Sequence, residues 1–301
     1  MVRRPAAKKI SGSSPRLGEK AFPRLMIAPA LAVMVILTAY PLIFTSLYSF
    51  TDYNYLKGPG SANFVFLKSY NSLFQNAYFR QAVVNTIKFT ILAVAFEMVF
   101  GLLEAVFVKS LRWGQKIMRT LLLLPYLLPA VTVALSWKMM LSSNYGIVNQ
   151  ALSAVNLPVY NWFMDTRTAF GTILVIDVWQ NTPFVFLLLY ASLQSVSESQ
   201  YEAARIDGAS VVQQFFYVTI PNIKSGIALC ALLRTIDTFR LFEKINLLTG
   251  GGPAGTTSSI TQFLYNYGIK NLKFGFGSAG AIVMTLLVLV LSSFYIKKAI
   301  R

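Results

Sequence analysis

Along the chain, apolar residues run in long blocks separated by short polar punctuation, and the blocks share a length. A helix needs about 20 apolar residues to cross the hydrocarbon core of a bilayer. Six stretches meet that need, at roughly 26–50, 82–108, 119–141, 170–195, 222–247 and 276–296. The first carries Pro29 and Pro41, which kink a helix but are tolerated inside a bundle, and it closes on Ser49-Phe50-Thr51-Asp52-Tyr53, the polar and aromatic residues of an interface. This block exceeds the core of a signal peptide and has no small-residue cleavage site, so it is expected to stay attached. The pattern predicts an all-α integral membrane protein with six transmembrane helices.

Polar residues that interrupt the apolar blocks need an explanation, because a charge at the centre of a membrane helix costs about 2.5–3.5 kcal/mol on insertion scales. Block two carries Glu97 and Glu104, seven apart and so on one helical face. Pairing with neighbouring helices is the plain reading; a proton relay is the sharper one, but no histidine chain or third acid accompanies them. In block four Asp177, Gln180, Asn181 and Phe184 fall at i, i+3, i+4 and i+7, one polar and aromatic stripe. Trp179 points elsewhere and Pro183 loosens the helix beside the stripe. In block five Arg234, Asp237, Thr238 and Leu241 repeat that spacing, with Arg240 and Lys244 on a neighbouring face. At 1.5 Å rise per residue, Asn181 and Arg234 lie near the middle of their blocks, the depth at which transporters place substrate. Forked hydrogen-bonding groups beside a flat aromatic ring suit a sugar. The competing reading of block five is an Arg234–Asp237–Arg240 ion-pair ladder that only closes the bundle.

Composition agrees with the pattern: 55% of the 301 residues are hydrophobic and 13% charged. The net charge of +16 invites a nucleic-acid partner, but the basic residues do not form one stripe; they flank the apolar blocks. Sixteen fall on the side that holds the N-tail, the 109–119 connection, the 196–221 connection with its entry to block five (Arg205, Lys224) and the C-tail (Lys297, Lys298, Arg301), against six on the other. The positive-inside rule therefore puts both termini and the 196–221 connection in the cytoplasm. Residues 1–25 are basic and rich in Ser, Pro and Gly, which predicts a disordered cytoplasmic tail. There is no histidine and one cysteine, Cys230, so an internal disulfide and His-dependent metal or nucleophile–base chemistry are excluded. The run Thr249-Gly250-Gly251-Gly252-Pro253 lacks the Gly-Lys-Ser/Thr ending of a phosphate loop and reads as a turn.

Between blocks four and five lies Tyr201-Glu202-Ala203-Ala204-Arg205-Ile206-Asp207-Gly208, continuing to Val218-Thr219-Ile220-Pro221. Good helix formers, a Gly and a later Pro predict a short helix, a bend and a second short amphipathic helix stopped by Pro221. Such order is more than a connecting loop needs, which points to a docking surface.

The spacing of Glu202, Ala203, Ala204, Gly208, Val218, Ile220 and Pro221 resembles the EAA signature of ABC-importer membrane subunits. Val218 and Ile220 stand where that family usually has Ile and Leu. With the Gly250–Pro253 loop and the Asp52-Tyr53 end of block one, the chain resembles the carbohydrate-uptake branch, and within it the sugar-site-bearing subunit of maltose-type importers. The resemblance covers most of residues 26–298 and implies a type I importer permease fold in a bacterial inner membrane. It implies that Glu202, Ala203, Ala204, Asp207, Gly208 and Pro221 couple to an ATPase, and that Asp177, Gln180, Asn181, Phe184, Arg234, Asp237 and Thr238 contact sugar. Implied partners are a second, homologous permease, two ATP-binding cassette subunits that hold ATP and Mg, and an extracytoplasmic binding protein. This chain itself is expected to be no enzyme and to carry no cofactor. Arg234 replaces a neutral polar group of maltose sites, which points to a saccharide with an anionic group, such as an oligouronate or a sugar phosphate.

Three alternatives stay open. An ion-coupled secondary transporter explains the midplane charges but leaves the Glu202–Pro221 pattern without a role. An intramembrane enzyme lacks a recognisable nucleophile–base pair. An amino-acid or peptide importer is opposed only by the resemblance of the Gly250–Pro253 and Asp52-Tyr53 regions.

Overall fold

A computed structural model describes residues 17–58 and 62–300. In chain order the helices are α1 (Leu17–Tyr48), α2 (Lys68–Gln75), α3 (Ala77–Ser110), α4 (Gln115–Leu127), α5 (Ala130–Met140), α6 (Ile147–Ala154) and α7 (Ala169–Gln194). They continue as α8 (Glu198–Ile206), α9 (Val211–Gln214), α10 (Ile220–Phe239), α11 (Glu243–Leu248), α12 (Ile260–Leu264) and α13 (Phe274–Ile300). Two π-helical turns, Phe215–Thr219 and Tyr265–Lys270, join α9 to α10 and follow α12. No strand forms among the described residues; one isolated bridge pairs Thr51 with Phe64. Helix α1 stands as a unit by itself, and the chain from Tyr48 onward forms a second. The tail expected at 1–25 lies outside the described residues for 1–16, while 17–25 are already helical, the first turns of α1.

Five helical segments are long and apolar enough to span a bilayer, and six if the bent pair α4–α5 counts as one. The span expected at 119–141 is a bent pair: α4 and α5 meet at 88°. Pro129 permits the bend: it has no N–H to donate and disfavours helical geometry in the residue before it, and Leu128 is extended (ψ 136°), whereas Pro125 lies inside α4. Block five is also not one helix. Helix α10 ends at Phe239, Arg240–Phe242 turn through tight hydrogen bonds from Arg240 N–H to the Asp237 carbonyl and from Leu241 N–H to that of Thr238, and α11 follows. The two short pieces beyond these breaks, α5 and α11, pack together. Val133, Ala134, Ile245 and Leu248 are buried in one cluster with Ile173 and Ile176 of α7, and Lys138 Nζ donates to the Leu247 carbonyl at 2.7 Å.

The central packing is α3 against α7. Gly101 allows it: a Cβ there would lie 2.7 Å from Val185 Cγ1 and 2.9 Å from the Phe186 backbone nitrogen. Ala105, Val185, Phe186, Leu189 and Ile223 then bury a second cluster that brings in α10. In a membrane no hydrophobic effect drives helices together, so close backbone approach at a small residue and interhelical polar bonds carry the association.

A polar cavity at two helix breaks

Across the α3–α7–α10 contact runs a chain of buried charges. Arg234 on α10 donates from Nε to Glu97 Oε2 at 2.7 Å and from Nη2 to Glu97 Oε1 at 2.9 Å, a two-pronged bond to α3. Its Nη1 donates to Asp237 Oδ2 at 2.6 Å, and Nη2 lies 3.8 Å from Asp177 Oδ2 on α7. Asp177 Oδ1 in turn accepts from Lys244 Nζ of α11 and from Asn181 Nδ2 at 3.0 Å. The side chains of Arg234 and Glu97 are 2% and 0% exposed. Glu97, Asp177, Arg234 and Lys244 are all buried, and their formal charges cancel. That is the condition for holding ions in a low-dielectric interior.

Beside this network lies a cavity of about 390 Å³, within the roughly 300–1,000 Å³ of small-molecule sites. Six of the seven residues expected to contact sugar line it: Asp177, Gln180, Asn181, Arg234, Asp237 and Thr238. Phe184 does not. One turn further along α7, it packs against Tyr126 of α4 with ring centroids 5.5 Å apart. Arg240, Glu243 and Lys244 do line the cavity, although an uninterrupted helix puts Arg240 and Lys244 on a neighbouring face. The break after Phe239 re-aims them. Sequence periodicity could not place them, since it assumes one helix; only the crowding of charges at 240–244 marked the spot.

Gln180 shows what the α4–α5 bend does to the site. Its Nε2 donates to the Leu128 carbonyl at 2.8 Å, satisfying a backbone group freed by the bend, and Ala130 at the start of α5 also lines the cavity. Buried Gln180 Oε1 and Asp177 Oδ2 are left without a hydrogen-bond partner among the described residues. Two further acceptors, the carboxylates of Asp237 (60% exposed) and Glu243, stand at the rim with Arg240 (65% exposed), which is 3.8 Å from Asp237. The Arg234 fork expected to meet an anionic ligand is already engaged here: Nε and Nη2 donate to Glu97 and Nη1 to Asp237. The ladder Arg234–Asp237–Arg240 is present too, but it forms one wall of the cavity rather than sealing the bundle.

The segment between α7 and α10 folds as the expected helix and bend. Helix α8 ends in a Schellman cap: Ala209 N–H reaches the Ala204 carbonyl at 2.9 Å and Gly208 N–H reaches that of Arg205 at 3.1 Å. Gly208 sits at φ +78°, a conformation that a side chain disfavours. Ser210 and Gln213 then form a capping box that starts α9. Glu202, Ala203 and Asp207 are exposed and Ala204 half-buried. Pro221 departs from expectation. It does not stop a helix; it lies in the first turn of α10, which continues α9 through the π-helical turn. The wider turn, closed by Ile220 N–H to the Phe215 carbonyl, makes room for a ring that would clash with the carbonyl four residues back. Tyr201 ties the two arms together: its hydroxyl lies 3.0 Å from Thr219 Oγ1, and Lys109 Nζ at the end of α3 sits 4.8 Å from its ring centre. Ile206, Val211 and Tyr217 are 87%, 81% and 79% exposed, and Val212 and Phe216 are exposed as well.

Comparison with known proteins agrees with this construction. The trehalose/maltose transport system permease protein MalF of Thermococcus litoralis is 35% identical over 275 residues, 91% of this chain and 92% of that protein. The sulfoquinovosyl glycerol transport system permease protein SmoG of Agrobacterium fabrum is 30% identical, over 93% and 91% of the two chains. The fold is that of a chain in the crystal structure of a bacterial ABC transporter involved in the import of the acidic polysaccharide alginate. That match has a TM-score of 0.84 and 23% identity, and covers 94% of this chain and 96% of that one. Residues 97–297, which hold the charge network, the cavity and the α8–α10 segment, match the family described as binding-protein-dependent transport system inner membrane component. The chain therefore belongs to that family of multi-pass inner-membrane transport permeases.

Proposed function

We propose that this chain is the permease subunit of an ATP-driven importer and that the polar cavity takes a sugar. The observation that carries the reading is the cluster of polar side chains, Asp177, Gln180 and Asn181 of α7 with Asp237 and Thr238 of α10, that lines one cavity between the two helices leading into and out of α8–α9. A carboxylate and an amide oxygen accept hydroxyl hydrogen bonds. The Arg234 fork is occupied, and the lining acids Asp177, Asp237 and Glu243 are matched in number by the bases Arg234, Arg240 and Lys244, so the wall has no net formal charge. That favours a neutral, hydroxyl-rich saccharide, in keeping with the trehalose/maltose relative. The neighbour crystallised with an alginate pentasaccharide-bound periplasmic protein supports the fold alone, at 22% identity.

In this reading α8 and α9 lie in the cytoplasm, where the charge asymmetry puts them, and Ile206, Val211 and Tyr217 dock on one of two ATP-binding subunits. ATP and Mg are held there, and this chain does no chemistry on them. Two ATPase subunits need two coupling segments, so a second, related permease completes the membrane unit, and an extracytoplasmic binding protein delivers sugar. Displacement of α8–α9 reaches the cavity through α7 on one side and α10 on the other.

The test is uptake of a labelled disaccharide into proteoliposomes containing the partner subunits and the binding protein. Uptake is expected to require ATP on the α8–α9 side, and Gln180→Ala is expected to weaken it about tenfold, the loss of roughly one well-made hydrogen bond. Uptake that persists without ATP and collapses with a proton uncoupler refutes the reading.

A further inference from the structure

Glu97 is accounted for by Arg234; its companion Glu104, seven residues on and on the same face of α3, is not. Glu104 Oε2 is buried and meets no hydrogen-bond donor among the described residues. The side chain borders a groove of about 790 Å³, larger than the polar cavity and on a different side of α7. Phe96, Phe100 and Leu103 of α3, Leu121 of α4, and Val175 and Trp179 of α7 are among the residues that line it, and Glu104 is the one charged residue in the lining. Along α3 the groove runs from Phe96 to Glu104, about 12 Å at 1.5 Å per residue, or just over two helical turns.

We infer that this groove seats a transmembrane helix of the second permease subunit, and that the helix brings a hydrogen-bond donor, an Arg, Lys, Ser or Thr side chain, to Glu104. The inference rests on the two-permease reading above. Physical chemistry selects the occupant. An acid on a membrane helix is costly unless it is paired, and a lipid tail filling an apolar groove leaves Oε2 as it is. An anionic lipid headgroup is repelled by the carboxylate. A helix can match both parts at once, apolar surface against Phe100, Leu103 and Val175, and one donor at the level of Glu104. Leu103 and Val175 are 60% and 63% exposed, so the surface has room for it.

The experiment uses the complete importer, expressed with its second permease, ATPase subunits and binding protein, with a photo-crosslinking amino acid in place of Phe100. A crosslink to a membrane-helix peptide of the second permease, identified by mass spectrometry, is the expected result. Glu104→Leu is expected to lower the recovery of the permease pair about tenfold by leaving the partner's donor unpaired, while Glu104→Gln, which still accepts a hydrogen bond, retains most of it. Crosslinks only to lipid, to another copy of this chain or to an ATPase subunit overturn the inference, as does equal recovery of both variants. If the unsubstituted chain forms no complex with a second permease, the importer reading fails and this inference with it. If the complex forms but the crosslinks fall elsewhere, only the assignment of this surface is lost.

Discussion

Removing Arg234 should be far more damaging than removing the whole ion pair to which it belongs. At a charge separation of ~4 Å and an effective dielectric of ~20 the Arg234–Glu97 attraction is about 4 kcal/mol. Desolvating two ions takes back a similar amount, so the intact pair contributes little in net terms. In Arg234→Met, Glu97 stays fully buried and loses both of its hydrogen bonds, at 2.7 and 2.9 Å. The buried set Glu97, Asp177 and Lys244 then holds one uncompensated negative charge, which costs about 3–5 kcal/mol. Asp237 loses a bond too, but it faces water and can be rehydrated. In Glu97→Leu with Arg234→Met, the remaining buried charges, Asp177 and Lys244, again cancel, and the loss should fall to within about 1.5 kcal/mol of the unmodified protein. The assay is unfolding in mixed micelles with increasing SDS, giving a free energy for each single variant and the double. The expected coupling is at least about 2 kcal/mol, the cost of Arg234→Met less that of the double variant, before any cost of Glu97→Leu is added. Additivity within ~0.5 kcal/mol shows that the pair does not act as a neutral unit and refutes the reasoning.

Other consequences can be checked in the same reconstituted system. Proline locks φ near −65°, so Gly208→Pro, at a position held at φ +78°, should deform the turn between α8 and α9. Uptake per ATP hydrolysed should fall about tenfold or more, the equivalent of ~1.4 kcal/mol, with membrane insertion intact; Glu202→Lys on the exposed face of α8 should do the same, and normal transport by both removes the coupling assignment. Tyr201→Phe deletes the 3.0 Å link to Thr219 but keeps the ring under Lys109. It should cost about 1 kcal/mol and lower the uptake-to-hydrolysis ratio, with no further loss when Thr219→Val is added. Gly101→Val should force α3 and α7 apart at Val185 and cost about 1–3 kcal/mol in the SDS titration. An unchanged free energy for that variant means the two helices do not meet there.

Much of the fold was legible because a membrane simplifies the code. Any segment in the hydrocarbon core must satisfy its own backbone, so about 20 apolar residues specify a helix with little help from tertiary contacts. That is why Ala77–Ser110 and Ala169–Gln194 lie close to the stretches expected at 82–108 and 170–195. The α8–bend–α9 segment was equally local: Gly208 and the Ser210/Gln213 cap act within a few residues of sequence. The polar stripe of α7 was readable to the same extent, since one unbroken helix carries Asp177, Gln180 and Asn181 onto one face.

What the sequence by itself determined, then, was the helical kind of the segments, the bend at Gly208 and the faces of the unbroken helices. The tertiary structure decided the rest. Pro129 permits a bend between α4 and α5, but its 88° angle holds because α5 packs on α11 and Gln180 bonds the freed Leu128 carbonyl. The turn after Phe239 brings Arg240, Glu243 and Lys244 into the cavity, which no helical period foretells. Glu97 and Glu104 share a helix face and a residue type, yet one is neutralised by Arg234 from 137 positions away and the other borders an open groove. Their difference is one of long-range neighbours. Those depend on how helices distant in sequence assemble, and that information is not local to either glutamate.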